Sequence, residues 1–189
     1  MKLLKTSSVF FGLMVLLTGV IYPGIITGIA QLAFPYQANG SLIYQNEQIV
    51  GSVLIGQQFD DPMYFWGRPS TTANFPYNAM SSAGSNLGPT NPVLETQVSA
   101  RIAALQAADP GNPLPIPVDL VTTSASGLDS DISVAAAQYQ AARVARVRGL
   151  PLDRIESLIT ANTTGRTFGL LGEPRVNVLK LNLALDALE

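Results

Sequence analysis

Three carboxylates, Asp119, Asp129 and Asp131, are the groups in this chain whose type and spacing come nearest to catalytic chemistry. Paired carboxylates can divide acid and base roles, or share a cation. Asp129 also stands where a helix could begin, and capping accounts for it as well. The stretch Gly84-Ser85-Asn86-Leu87-Gly88 could cradle an anion on backbone N–H groups, or simply turn the chain. Arg143, Arg146 and Arg148 read first as a solvated helix end that complements the dipole, and second as an anion site. Ser70, Ser81, Ser82 and Ser124 have no candidate base, because the chain contains neither His nor Cys. That double absence excludes the usual zinc sites, thiol catalysis and any Ser-His-Asp triad. Lysine occurs only at positions 2, 5 and 180, and no phosphate-binding loop ending in Lys and Ser or Thr is present. The residues therefore assign no catalytic group, no metal ligand set and no cofactor site. They suit an exported binding or assembly module better than an enzyme.

Composition narrows the setting. Of 189 residues only 13% are charged, well below the usual quarter, while 47% are hydrophobic. A net charge of -2 gives no electrostatic case for nucleic acid. The soluble part is rich in Ala, Ser, Thr, Asn and Gln, so its surface is polar rather than ionic.

The elements that must position these groups begin with an anchor. Residues 9–34, VFFGLMVLLTGVIYPGIITGIAQLAF, carry no charge. As a helix they would span roughly 39 Å, enough to cross a hydrocarbon core of roughly 30 Å. Lys2 and Lys5 precede the run and the next basic residue is Arg68. That asymmetry places residues 1–8 in the cytoplasm and residues 36–189 outside it. A signal peptide cut near Gly28-Ile29-Ala30 is the alternative. Both readings export the body, but the apolar run outlasts a normal signal core. Gly24, Thr27, Gly28 and Gln31 form a small and polar stripe at helical spacing, a surface for packing against partner helices. Pro23 is expected to kink the helix.

The body reads as α+β. A hairpin is predicted from 41–44 and 49–55 around Gln45-Asn46-Glu47. Residues 60–91 form a long loop with Tyr64, Phe65, Trp66, Phe75 and Tyr77, too aromatic for a flexible linker. Asn91 and Pro92 open a helix whose Leu94, Val98, Ile102 and Leu105 share a face. It ends at Asp109-Pro110-Gly111. An apolar strand is expected at 118–122, then a helix from Ser130, capped by Asp129, to Arg148. Gly149 stops that helix and Pro151 opens another to about Ala161. Residues 176–188 alternate like a strand at Leu179, Leu181, Leu183 and Leu185, yet their Ala and Leu content and a cap at Asn177 favour a helix.

Seven segments then stand in a distinctive order: GSVLIGQQF at 51–59, YFWGRPS at 64–70, SNLGPTN at 85–91, PVDLVT at 117–122, SGLD at 126–129, RVAR at 143–146 and PRVNVL at 174–179. Together with the anchor they closely resemble the C-subunit (KdpC) family of the Kdp potassium-transporting P-type ATPases. The chain departs from the family pattern at Ala83 and Ala125, where glycine is usual, and at Ser130-Asp131, where Pro-His is frequent.

The resemblance implies a non-catalytic subunit beside a channel-like A subunit, an ATP-hydrolysing B subunit and a small F subunit in the cell membrane. In agreement, the chain has neither an Asp-Lys-Thr-Gly phosphorylation motif nor a Thr-Val-Gly-Tyr-Gly filter. ATP association is implied by the family alone, whereas the lysines place the body on the side without ATP. Tyr64, Phe65, Trp66, Arg68, Ser85, Asn86 and Asn91 are the interface candidates, on loop length, exposed aromatics and family motif. Competing readings are an exported enzyme centred on Asp119, Asp129 and Asp131, and a solute-binding module that delivers potassium.

Overall fold

The computed structural model describes residues 1–188, which divide into two compact units, Met1–Ile43 and a second that begins at Tyr44. In the first unit, α1 (Lys2–Leu16), a π-helical turn (Leu17–Ile21) and α2 (Tyr22–Ala33) run on as one helix of 32 residues. It is long and apolar enough to cross a membrane, and none of its most apolar window is buried. Proline has no N–H to bond the carbonyl four residues back and its ring crowds that carbonyl. Ahead of Pro23 the backbone widens instead of ending, and the Tyr22 N–H bonds Leu17 O, five residues back. A π turn thus stands just upstream of Pro23, where a kink is expected. A short α3 (Pro35–Ala38) follows.

The second unit contains the core. Strands β1 (Leu42–Gln45) and β2 (Gln48–Ser52) pair as the expected hairpin. Asn46 and Glu47 both have positive φ (51° and 64°), the conformation a two-residue type I′ turn requires. Helix α4 (Pro92–Ala108) starts as predicted, with Asn91 Oδ1 accepting from the Val93 N–H. Only Leu105 on it is fully buried, while Leu94, Val98 and Ile102 are half-covered.

Two expectations fail at the next elements. Residues 118–120 form a 3₁₀ turn rather than a strand, because Pro117 leads the chain into a tight turn in which the Leu120 N–H bonds Pro117 O. The helix expected from Ser130 begins later. Asp131–Ser133 is strand β3, and Ser133, not Asp129, caps α5 (Val134–Arg148) by accepting from the Ala136 N–H. Gly149 then takes φ 65°, and its N–H and that of Leu150 bond Arg146 O and Ala145 O, closing the helix with a left-handed cap.

Helix α6 (Leu152–Ala161) leads to β4 (Thr163–Thr164), and β5 (Arg175–Asn177) leads directly into α7 (Val178–Asp186). The terminal run is thus a helix, with Asn177 as its cap, preceded by one short strand. The antiparallel sheet has the order β3-β5-β4, with Ile132 and Thr163 both opposite Val176. Ile132 and Val176 face a core of Ala136, Ala137, Ala141, Val144, Ile155, Ile159, Leu181 and Leu185. The alanines of α5 let α6 approach closely, and the larger side chains of α6 and α7 fill the space between.

Candidate functional site

Phe65 and Trp66 run through the interior of the body without joining a sheet, yet their backbone is paired. The Phe65 N–H donates to Asn182 Oδ1 at 2.9 Å, and Asn182 Nδ2 donates to Phe65 O at 3.0 Å. The Trp66 N–H donates to Gln140 Oε1 at 2.8 Å, and Gln140 Nε2 donates to Trp66 O at 3.1 Å. Two side-chain amides, one from α5 and one from α7, replace the neighbouring strand a buried backbone needs. Both amides are at most 2% exposed, so water cannot substitute for them.

The arginines of α5 complete this clamp. Arg143 is buried, donates to Pro62 O and to Gln140 Oε1 (2.8 Å), and lies 4.7 Å from the centre of the Trp66 ring. Burial pushes its pKa down to about 10, against the pull of Asp109. The guanidinium is therefore still charged at neutral pH. Arg148 donates to Met63 O at 3.1 Å, pairs with Asp186 at 2.6 Å and lies 4.8 Å from the Tyr64 ring centre. Arg146 pairs with Asp109 at 2.7 Å. Arg146 is the solvated helix-end cation expected, whereas the side chains of Arg143 and Arg148 are buried and engaged. Those two hold residues 62–66 in place.

A second junction lies at Arg68. Its Nη1 pairs with Asp129 Oδ2 at 3.0 Å and its Nη2 donates to Thr123 O at 3.1 Å. Tyr77 donates its hydroxyl to Arg68 O at 2.5 Å, and burial pushes the phenol up to about 12, with the Arg101 charge opposing. Tyr77 covers Gly56, where a Cβ would stand 2.6 Å from Asp129 O and closer still to the phenol ring. Arg101 donates to Leu120 O and Gly67 O at 3.1 and 3.2 Å. Arg68, Tyr77 and Arg101 line a cavity of about 190 Å³ with Gln58 and Asp60.

The three carboxylates do share one place, an open groove of about 750 Å³ also lined by Val118, Ile132 and Glu173. Each is engaged there. Asp119 accepts from the Ser133 N–H at 2.7 Å, Asp129 pairs with Arg68, and Asp131 pairs with Arg175 at 2.8 Å and accepts from Asn177 Nδ2 at 2.9 Å. Such carboxylates hold β3 and its flanking turns in register. A third concavity, about 410 Å³, lies beside α4 and is lined by Pro69, Thr71, Leu94, Val98 and Val121.

The interface candidates separate. Phe65 and Trp66 are 0% and 6% exposed, so two of the three aromatics expected to be exposed at 64–66 are internal. Their backbone is satisfied from α5 and α7, which draws the rings into the core. Tyr64 and Arg68 are half-buried and paired as above. Ser85 is half-buried and Asn86 exposed with φ 52°, while Asn91 caps α4. Gly24, Thr27 and Gly28 lie open on the apolar helix, and a Cβ on either glycine would meet nothing within 4 Å. Gln31 instead exchanges amide hydrogen bonds with Asn39 at 3.2 and 3.4 Å. Sequence reasoning missed Gln140 and Asn182. Asn182 had a signal, a single amide among the apolar residues of α7, whereas Gln140 shares α5 with Gln138 and does not stand out.

The profile of the K+-transporting ATPase c chain, KdpC, matches residues 4–187. A potassium-transporting ATPase KdpC subunit of Polaromonas naphthalenivorans is 62% identical over 188 residues, covering 100% of this chain and 96% of that one. Proteins of the same name from Methylococcus capsulatus and Herpetosiphon aurantiacus are each 64% identical over 173 residues, covering 92% of this chain and 91% and 90% of theirs.

Proposed function

The chain belongs to the KdpC family, and from that premise we propose that it is an accessory subunit of an ATP-driven potassium pump. It contributes assembly rather than bond-breaking chemistry. The observation that carries this reading is the full-length likeness to relatives named as KdpC subunits of potassium-transporting ATPases. The geometry supports it, because the groups that could have done chemistry are spent on holding the body together. Asp119, Asp129, Asp131 and the three arginines of α5 each have a partner within the chain.

The helix Lys2–Ala33 would cross the membrane with Lys2 and Lys5 inside, and the body would lie outside. There it would bear on the channel-like A subunit and the ATP-hydrolysing B subunit, with the small F subunit nearby. Gly24, Thr27 and Gly28 form the face that would meet their helices. Nucleotide binding is not part of the reading, since ATP is on the other side. The test is deletion of the chain from cells that express the other subunits. Loss of a stable complex and of potassium-stimulated ATP hydrolysis is expected. An intact, fully active pump without the chain would overturn the assignment.

A further inference from the structure

The ten-residue loop 165–174 between β4 and β5 carries three strongly exposed apolar side chains within four residues. Phe168, Leu170 and Leu171 are 90%, 79% and 63% exposed. Exposed apolar side chains that stand together on a soluble surface usually mark a binding site. The backbone of this tip closes on itself. The Thr167 N–H donates to Leu171 O at 2.8 Å and the Leu171 N–H returns to Thr167 O at 3.0 Å, while the Gly169 N–H bonds Arg166 O. At the base, Arg166 Nη2 donates to both carboxylate oxygens of Glu173, at 2.8 and 2.7 Å. The tip therefore enters an apolar medium with these backbone groups already satisfied and with no net charge at its base.

We propose that this tip inserts Phe168, Leu170 and Leu171 into the outer acyl boundary of the bilayer. The proposal rests on the reading of Lys2–Ala33 as a membrane span. Only residues 34–43 separate that helix from the body, a reach of at most about 35 Å even when extended. So short a tether holds a lipid surface at high effective concentration. A projecting tip needs a matching cavity in a protein partner, whereas lipid conforms to it. Large apolar residues at a membrane surface bind through buried area, and basic residues add attraction to anionic lipid. Here the base is neutral, so insertion depends on area alone.

The native chain has no Cys, so Leu170→Cys supplies a unique site for an environment-sensitive fluorophore. A reference probe goes at Met80→Cys, which is 96% exposed. The full chain is placed in phosphatidylcholine nanodiscs that contain a doxyl-labelled lipid quencher. The Leu170 probe should be quenched roughly threefold more than the Met80 probe, independent of anionic lipid or salt. Adding Phe168→Ser and Leu171→Ser should bring it down to the reference. Equal quenching at the two sites would overturn the proposal. So would a tip probe shielded from both lipid and water only when the other pump subunits are present, which would identify a protein contact. A chain that fails to enter the nanodisc overturns the anchor itself, and is scored separately by size exclusion.

Discussion

Two loops of this body carry large apolar residues and meet opposite fates. Residues 62–68 bury Phe65 and Trp66, while residues 165–174 leave Phe168, Leu170 and Leu171 in the open. Hydrophobicity does not separate them. The difference lies in who satisfies the backbone. In the first loop the partners come from more than 70 residues away, through Gln140, Arg143 and Asn182. In the second the backbone hydrogen bonds are local. A loop is drawn into a core when distant side chains replace its water, and stays out when it bonds itself.

The largest way to break this contrast is Arg143→Ala. It strips Pro62 O of a donor, uncovers Trp66 and leaves a cavity, so a loss of about 3–5 kcal/mol is expected in denaturant unfolding. Arg143→Lys keeps the charge without the fork and should recover only part of that loss. Gln140→Leu comes next. It leaves the buried N–H and C=O of Trp66 unpaired, and should destabilise by about 2–4 kcal/mol in the same assay.

A pH experiment sharpens the picture at Tyr77. Its phenol is raised from 10.0 to about 12 in the folded body, chiefly by burial. The folded state therefore holds this proton more tightly than the unfolded chain. The resulting stabilisation is full below pH 10 and disappears as pH rises toward 12. Relative to Tyr77→Phe, the native chain should lose on the order of 2–3 kcal/mol across that window. Comparing the two proteins cancels the opposite trend from Arg143, whose pKa is lowered. Parallel stability curves for the two would rule out a buried Tyr77 phenol. The smallest effect belongs to the exposed loop. Phe168→Ser with Leu170→Ser should change folding stability by less than about 0.5 kcal/mol, since neither side chain supports the core.

Much of the fold was legible in sequence because its signals are local. Asn91-Pro92, Gly149 and Asn177 mark helix ends through short-range bonds, and residues 9–34 announce a span by length alone. The elements misread were those decided from afar. Residues 131–133 become a strand because β5 lies beside them, and Ser133 rather than Asp129 then caps α5. Residues 118–120 turn because Pro117 precedes them. At the candidate site the motif YFWGRPS was visible, but its direction was not. That direction depends on Gln140 and Asn182, which lie 74 and 117 residues beyond their backbone partners. Arg143 and Arg148 misled for the same reason, while Arg146 stays exposed as expected: charge near a helix end signals solvent unless a buried carbonyl is known to await it.

The chain is a KdpC-family subunit of a potassium-transporting ATPase, and we propose that it contributes structure and performs no ATP chemistry of its own. The most direct test of that proposal is ATP hydrolysis measured on the purified full chain, on the complex of the remaining subunits, and on the two recombined. The account predicts no turnover by the chain alone and potassium-stimulated turnover only after recombination. ATP turnover by the isolated chain that is lost on Asp119→Asn, Asp129→Asn or Asp131→Asn would contradict it.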